Sequence, residues 1–335
     1  MIAQSKFPKR VFRFLRGPCA EAPRWREHAA MFDRAHLLVQ MFYVLSLFKF
    51  YSAARGFWPM PPVETMDLLW PLWWLEYAGT QAGAFILSNL FIVAGVGGII
   101  FWRYLPMRIL VSVALLQHAA HSSSFGAINH GFHEWFWISV CLWFLPNGSY
   151  DTLRVSRAAR VQFLTAIAAA AGLILLFYSL SGLWKCSTAF LQLVTGEFGG
   201  FSPYAMTKTV VTRAMWTNSD PLWGGLVINW PLLGWPMYVG LYYVELVAIF
   251  IIFRPVLLRA WGIILILFHI GTFTFLDIIF PDHVLINAMF FFLTPIATRN
   301  PDWRAMAAAL PGLGIPVRMI MGWSANPGRA ARVPA

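Results

Sequence analysis

The sequence predicts an all-α fold: a polytopic membrane helical bundle of about eight transmembrane helices, with the N- and C-termini cytoplasmic. Three observations predict it. Hydrophobic residues are 59% of the 335 and charged residues 12%, with a mean hydropathy of +0.63, far from the balance of a soluble domain. Eight apolar runs approach the roughly 20 helical residues needed to cross a hydrocarbon core of about 30 Å. Finally, Lys and Arg alternate from loop to loop, as they do when basic residues are held on the cytoplasmic side.

Taken in order, residues 1–34 form a basic tail carrying Lys6, Lys9, Arg10, Arg13, Arg16, Arg24, Arg26 and Arg34. No small-residue cleavage site follows the first run, 35–53, so this helix is expected to remain as an anchor. Residues 54–81, containing WPLWWLEYAG, read as an interfacial segment with Trp70, Trp73 and Trp74 at headgroup level. Arg103 lies between the runs 82–102 and 107–122, and Arg108 at the start of the second. The run 132–147 precedes Arg154, Arg157 and Arg160, and 162–184 follows them. Residues 185–232, rich in Gly, Pro, Trp and Tyr, are long enough for an outer loop that lids a cavity. Arg254 lies between the runs 233–253 and 256–275, with Arg259 in the first turn of the second, and 283–298 leads into a cytoplasmic tail, 301–335. One transmembrane domain, 35–300, thus holds all the spans.

On this topology twenty of the 25 basic residues lie inside. Arg55, Lys185, Lys208 and Arg213 lie outside, and Lys49 falls within a helix. The net charge of +11 is therefore a topology signal and a contact with anionic membrane lipids; nucleic acid is not implied. The three cysteines fall in separate compartments and make no disulfide framework.

Sorting polar residues by depth gives the first pointer to function. Asn89, His118, His121, His130, His133, Lys185, His269, Asp277, Asp282 and His283 fall in the outer half or at the outer rim, and Glu245 lies deeper. Ionisable groups at membrane depth are costly and usually face a bundle interior or a cavity, so a polar site open to the outer face is expected. Plainer readings stand beside it. Lys49 can snorkel to the interface, His133, Asp282 and His283 can be solvated rim groups, and His118 and His121, one turn apart, can simply hydrogen-bond a neighbouring helix.

At Lys185 the chain resembles a known family. FYSLSGLWK is similar to the aromatic-rich Gly-x-x-Lys helix end of the vitamin K-dependent gamma-carboxylases and their bacterial HTTM relatives. INHGFHEWFWISVCLWFLP resembles that family's Asn-His followed by an aromatic helix ending at proline, which aligns Asn129 and His130. ELVAIFIIF, ILILFHIGTFTFLDIIF and INAMFFFLTPIATRNPDW resemble its last three helices and align His269 with its buried histidine. The resemblance covers about residues 85–305, the transmembrane part only.

It implies a bacterial inner-membrane enzyme with Lys185 as catalytic base, His130 and His269 as catalytic partners, and a site on the periplasmic side. The carboxylase's double asparagine is Ile128 and Asn129 here, and its two adjacent lysines are Trp184 and Lys185. The implied chemistry is thus that of a quinol-type lipid with oxygen as co-substrate rather than glutamate carboxylation. A hydroquinone is a weak acid whose anion reacts with dioxygen, so it needs a base, and a lysine serves when an apolar pocket favours its neutral form. Asn129, His118, His121, Tyr178, Trp184 and Glu245 are the expected substrate- and quinone-binding residues, and no metal is expected. A secreted or membrane protein or peptide is the possible second substrate.

Three other readings stay open. HAAH and HGFH resemble the histidine boxes of membrane di-iron desaturases and hydroxylases. His118 or His121 with His269 can ligate a haem b. The fold can also serve a non-catalytic membrane maturation or export factor.

Overall fold

A computed structural model describes residues 25–56, 60–126, 130–148, 156–197 and 199–322, excepting the side chains of 25–30 and 130. Every regular element in it is helical; there is no strand among the described residues. Four helices contain stretches long and apolar enough to cross a membrane: Met31–Gly56, Trp74–Phe101, Arg157–Val194 and Leu258–Leu276. The chain divides into two compact units, one of residues 25–174 and 280–295 and one of residues 175–279 and 296–322.

The first unit begins with α1, Trp25–Gly56. Pro61 and Pro62 stop regular helix beyond it, and the following stretch contains two 3-10 turns, Val63–Thr65 and Trp70–Leu72. The predicted interfacial tryptophans sit here. Trp70 and Trp73 are exposed, while Trp74 opens α2 (Trp74–Phe101) and donates to Gln117 Oε1. α2 kinks at Gly79, where φ is +73°, a conformation glycine adopts without a Cβ penalty. Against α1 it presents Gly95 and Gly98. A Cβ on Gly95 would lie 2.7 Å from Leu47 Cδ1 and one on Gly98 3.2 Å from Tyr43, the small-residue contact that lets membrane helices approach.

α3, Leu105–Ser123, starts with Pro106 in its first turn. It carries Ser112, Gln117, His118 and His121, and it is not one of the four long apolar helices. Its Arg108, expected in an inner loop, is buried and donates to the Pro146 carbonyl and Asn147 Oδ1. α4 is only His133–Cys141, flanked by 3-10 turns at His130–Phe132 and Leu142–Phe144. The run at 132–147 is therefore a broken helix. The 38-residue α5, Arg157–Val194, contributes its first half to this unit, burying Phe163, Ala166, Ile167, Ala170, Ala171 and Ile174, the spacing of one helix face. α10, Pro281–Asn287, passes into a π-helical stretch, Ala288–Phe292, and ends there. The run at 283–298 is thus also shorter than a full span.

The second unit starts in α5. That helix continues ten residues beyond the predicted end at 184, so Lys185 lies inside a helix and not at the start of a loop. The remainder of 185–232 is largely helical too, with α6 at Ala205–Thr217 and α7 at Gly224–Asn229. α8, Pro231–Leu246, contains Pro236 and passes into a 3-10 helix, Ala248–Phe253. α9, Leu258–Leu276, ends on Asp277 in the left-handed conformation, and α11 (Trp303–Ala309) and α12 (Gly314–Ile320) follow. Val210, Val227 and Phe275 join α6, α7 and α9 in an apolar cluster with Met206 and Leu276.

Candidate functional site

Within the second unit, one face of α5 carries the chemistry. Tyr178, Gly182 and Lys185 follow the i, i+4, i+7 spacing that places residues on one helical stripe, and this stripe meets α8 and α9. Gly182 sets the approach. A Cβ there would lie 2.8 Å from the Glu245 carbonyl carbon and closer still to the Leu246 nitrogen, so only glycine lets α5 and α8 touch backbone to backbone. Ser179 fastens the contact by donating to the Glu245 carbonyl at 3.2 Å and accepting from the Ile249 N–H at 2.8 Å. These are backbone groups at the point where α8 gives way to 3-10 helix, so the serine hydroxyl meets a donor and an acceptor that the change of helix geometry leaves open.

Just beyond that contact, Lys185 Nζ donates to both oxygens of Glu245, at 2.6 and 2.7 Å. The glutamate side chain is 3% exposed and the lysine 35%, so the carboxylate is sealed while the ammonium reaches the edge of the protein surface. Phe268 lies 5.9 Å from Nζ. Its neighbour His269, buried in α9, brings Nε2 to 2.6 Å from the Tyr178 hydroxyl. A hydroxyl–imidazole pair and an ammonium–carboxylate pair are thus fixed on one stripe of α5. Phe268 also lines an apolar cavity of about 340 Å³ with Met206, Tyr238, Leu267 and Phe275, a volume within the usual range for a small-molecule site.

Of the residues expected in the site, the structure groups Lys185, Glu245, Tyr178 and His269 in this unit. Glu245 holds Lys185 directly, a closer role than the substrate contact expected of it. Trp184 is 75% exposed and points away from the stripe. Asn129 lies outside the described residues, as does the side chain of His130. His118 and His121 belong to the first unit, where His118 packs edge-on against Phe132 with ring centroids 4.4 Å apart and His121 against Phe125.

The first unit also holds a cluster that sequence reasoning missed. Lys49 Nζ donates to Asp282 Oδ1 at 2.8 Å, and the Trp135 indole donates to the same oxygen at 2.9 Å. Nζ sits 4.1 Å from the centre of the Phe132 ring, a cation–π distance. Beside it, Glu134 is buried and its Oε1 lies 4.0 Å from His283 Nε2. The available signal was Lys49 itself, since a charge within an apolar helix calls for a partner. Among the described residues, no group of three or more His, Cys, Asp or Glu side chains is arranged to hold a metal ion.

In comparisons with known proteins, no family model, curated protein or solved structure matches the chain.

Proposed function

We propose that the protein is a multi-pass membrane enzyme related to the vitamin K-dependent carboxylases and their HTTM relatives, in which Lys185 and Glu245 together form the base for a quinol-type lipid. The observation that carries this reading is the two-oxygen contact between Lys185 Nζ and a glutamate that is itself sealed from solvent. An ammonium that can pass its proton to a carboxylate 2.6 Å away becomes an amine able to take the next proton from a ring hydroxyl. Tyr178 and His269 form a second proton-sharing pair suited to a ring oxygen. The apolar cavity has the size for a flat ring and the start of an isoprenoid tail; Lys185, Glu245, Tyr178 and His269 do not line it, and Phe268, 5.9 Å from Lys185 Nζ, is the residue that joins it to the pair. A hydroquinone supplies the reducing equivalents for dioxygen.

The membrane arrangement in this reading has eight crossings and cytoplasmic termini in a bacterial inner membrane, with the site toward the periplasm. Four crossings are the long apolar helices. The others are α3, α4 with its 3-10 flanks, α8 with its 3-10 extension, and α10 with its π-helical stretch. α8 and its extension together reach about 36 Å at 1.5 and 2.0 Å per residue, whereas α10 and its π stretch give only about 18 Å. Broken helices at membrane depth are tolerated where they are buried in protein or line a cavity, which favours a cavity-forming transporter or enzyme over a plain anchor.

Mass spectrometry of lipid extracted from the purified protein tests the reading. A quinone retained in roughly stoichiometric amount, and lost in a Phe268→Asp variant, is expected. Lipid extracts free of quinone after isolation from quinone-rich membranes would count against it.

A further inference from the structure

A second cavity in the same unit, of about 400 Å³, differs in chemistry from the apolar one. α6 supplies one wall through Lys208, Thr209, Thr212, Arg213 and Trp216, residues whose spacing puts them on one helix face. Both cations of that helix therefore line a single concavity, and no carboxylate lines it. Among the described residues, neither Lys208 nor Arg213 pairs with an acid. The Arg213 Nε is buried without a hydrogen-bond partner, which is costly for a charged group and calls for an acceptor from elsewhere.

The remaining wall is amphipathic. Tyr242 comes from α8, and Leu276 and Ile278 come from the end of α9, with the exposed Trp216 indole at the side. Two cations beside hydroxyls match the oxygens of a phosphate group. The apolar side chains next to them match the first carbons of an acyl chain, and a tryptophan is at home at headgroup level. A soluble anion has no use for that apolar wall.

We infer that this cavity binds the phosphate headgroup of an anionic membrane lipid, with Lys208 and Arg213 as counter-charges and Trp216, Leu276 and Ile278 along the start of its chains. The inference does not depend on the quinol reading, although Thr209, Tyr238 and Leu276 line both cavities. A bound headgroup would therefore form part of the wall of the apolar cavity.

The test is native mass spectrometry of the delipidated protein titrated with dioleoylphosphatidylglycerol, with dioleoylphosphatidylcholine and inorganic phosphate as comparison arms. The expected result is one tightly held phosphatidylglycerol, weakened about tenfold or more in Lys208→Gln/Arg213→Gln. It should be preserved in Lys208→Arg, which keeps both positive charges and the Arg213 guanidinium, and unaffected by Arg55→Gln, a cation elsewhere on the chain. Displacement by millimolar phosphate would keep the phosphate site but name a free anion as its source. Equal binding of the two lipids, or undiminished binding in the double Gln variant, overturns the inference. If that variant does not stay monodisperse, the single exposed Lys208→Gln decides: unchanged affinity there overturns it as well.

Discussion

Lys185 and Glu245 stand sixty residues apart in sequence and meet through both carboxylate oxygens, at 2.6 and 2.7 Å. Their burial is unequal, 35% exposure for the lysine side chain against 3% for the glutamate. Removal of either partner therefore has a different consequence. Glu245→Gln leaves an ammonium that can turn toward solvent, whereas Lys185→Met leaves a sealed carboxylate alone. We expect a stability loss of about 1 kcal/mol for the first and on the order of 3 kcal/mol for the second. The double variant Lys185→Met/Glu245→Leu should regain most of that loss. Thermal unfolding in detergent reads all three, and equal losses for the two single variants would contradict the burial argument.

Gly182 is the residue that permits this meeting, because any Cβ there runs into the backbone of Glu245 and Leu246. Gly182→Ala is expected to cost about 1–3 kcal/mol through overpacking and to lower activity by parting the pair. Gly225 in α7 has open space around its Cβ position, so Gly225→Ala should be neutral or slightly stabilising, by up to about 1 kcal/mol. Unfolding curves for the two variants that coincide would remove the helix-contact account of Gly182.

Asp282 serves two donors in the other unit, the Lys49 ammonium and the Trp135 indole. Asp282→Ala strands both and should destabilise on the order of 3 kcal/mol. Asp282→Asn keeps an acceptor oxygen and should cost clearly less. Denaturation in which Asn and Ala behave alike would show that the shared oxygen does not hold these elements together.

Much of this was legible in the sequence, for reasons that differ from element to element. The 26-residue, 28-residue and 19-residue apolar stretches of α1, α2 and α9 carry their own signal of length and hydropathy. The stripe of Tyr178, Gly182 and Lys185 was not legible as one helix face, because the sequence reads as a loop from Lys185 onward. The end of α5 was misplaced because Lys185 and the mixed stretch after it resemble a span boundary, although those residues continue the helix to Val194. α4 and α10 read as full spans because composition alone cannot show where hydrogen bonding changes to 3-10 or π geometry. The Lys49–Asp282 pair joins residues 233 apart, and no local pattern encodes such a partner; Asp282, followed by His283, reads as an ordinary loop.

The proposed eight-crossing topology makes its own prediction. A cysteine introduced as Phe125→Cys should react with an impermeant thiol reagent added to intact cells, and one introduced as Ser156→Cys should react only after the membrane is opened. Phe125 is half exposed and Ser156 is exposed, so neither result is decided by burial. Labelling in the reverse sense would place Lys185 on the cytoplasmic side and remove the proposed periplasmic site.

The central claim, that Lys185 with Glu245 is a base acting on a quinol, is tested most directly by quinol-dependent oxygen uptake of purified Lys185→Arg beside the unaltered protein. Arginine can keep the contact with Glu245, and with it the fold, yet a guanidinium stays protonated and accepts no proton. The account predicts a correctly folded variant whose uptake falls at least about a hundredfold, the usual scale for losing a general base. Full uptake in Lys185→Arg would show that the ion pair only braces α5 against α8, and would contradict the claim.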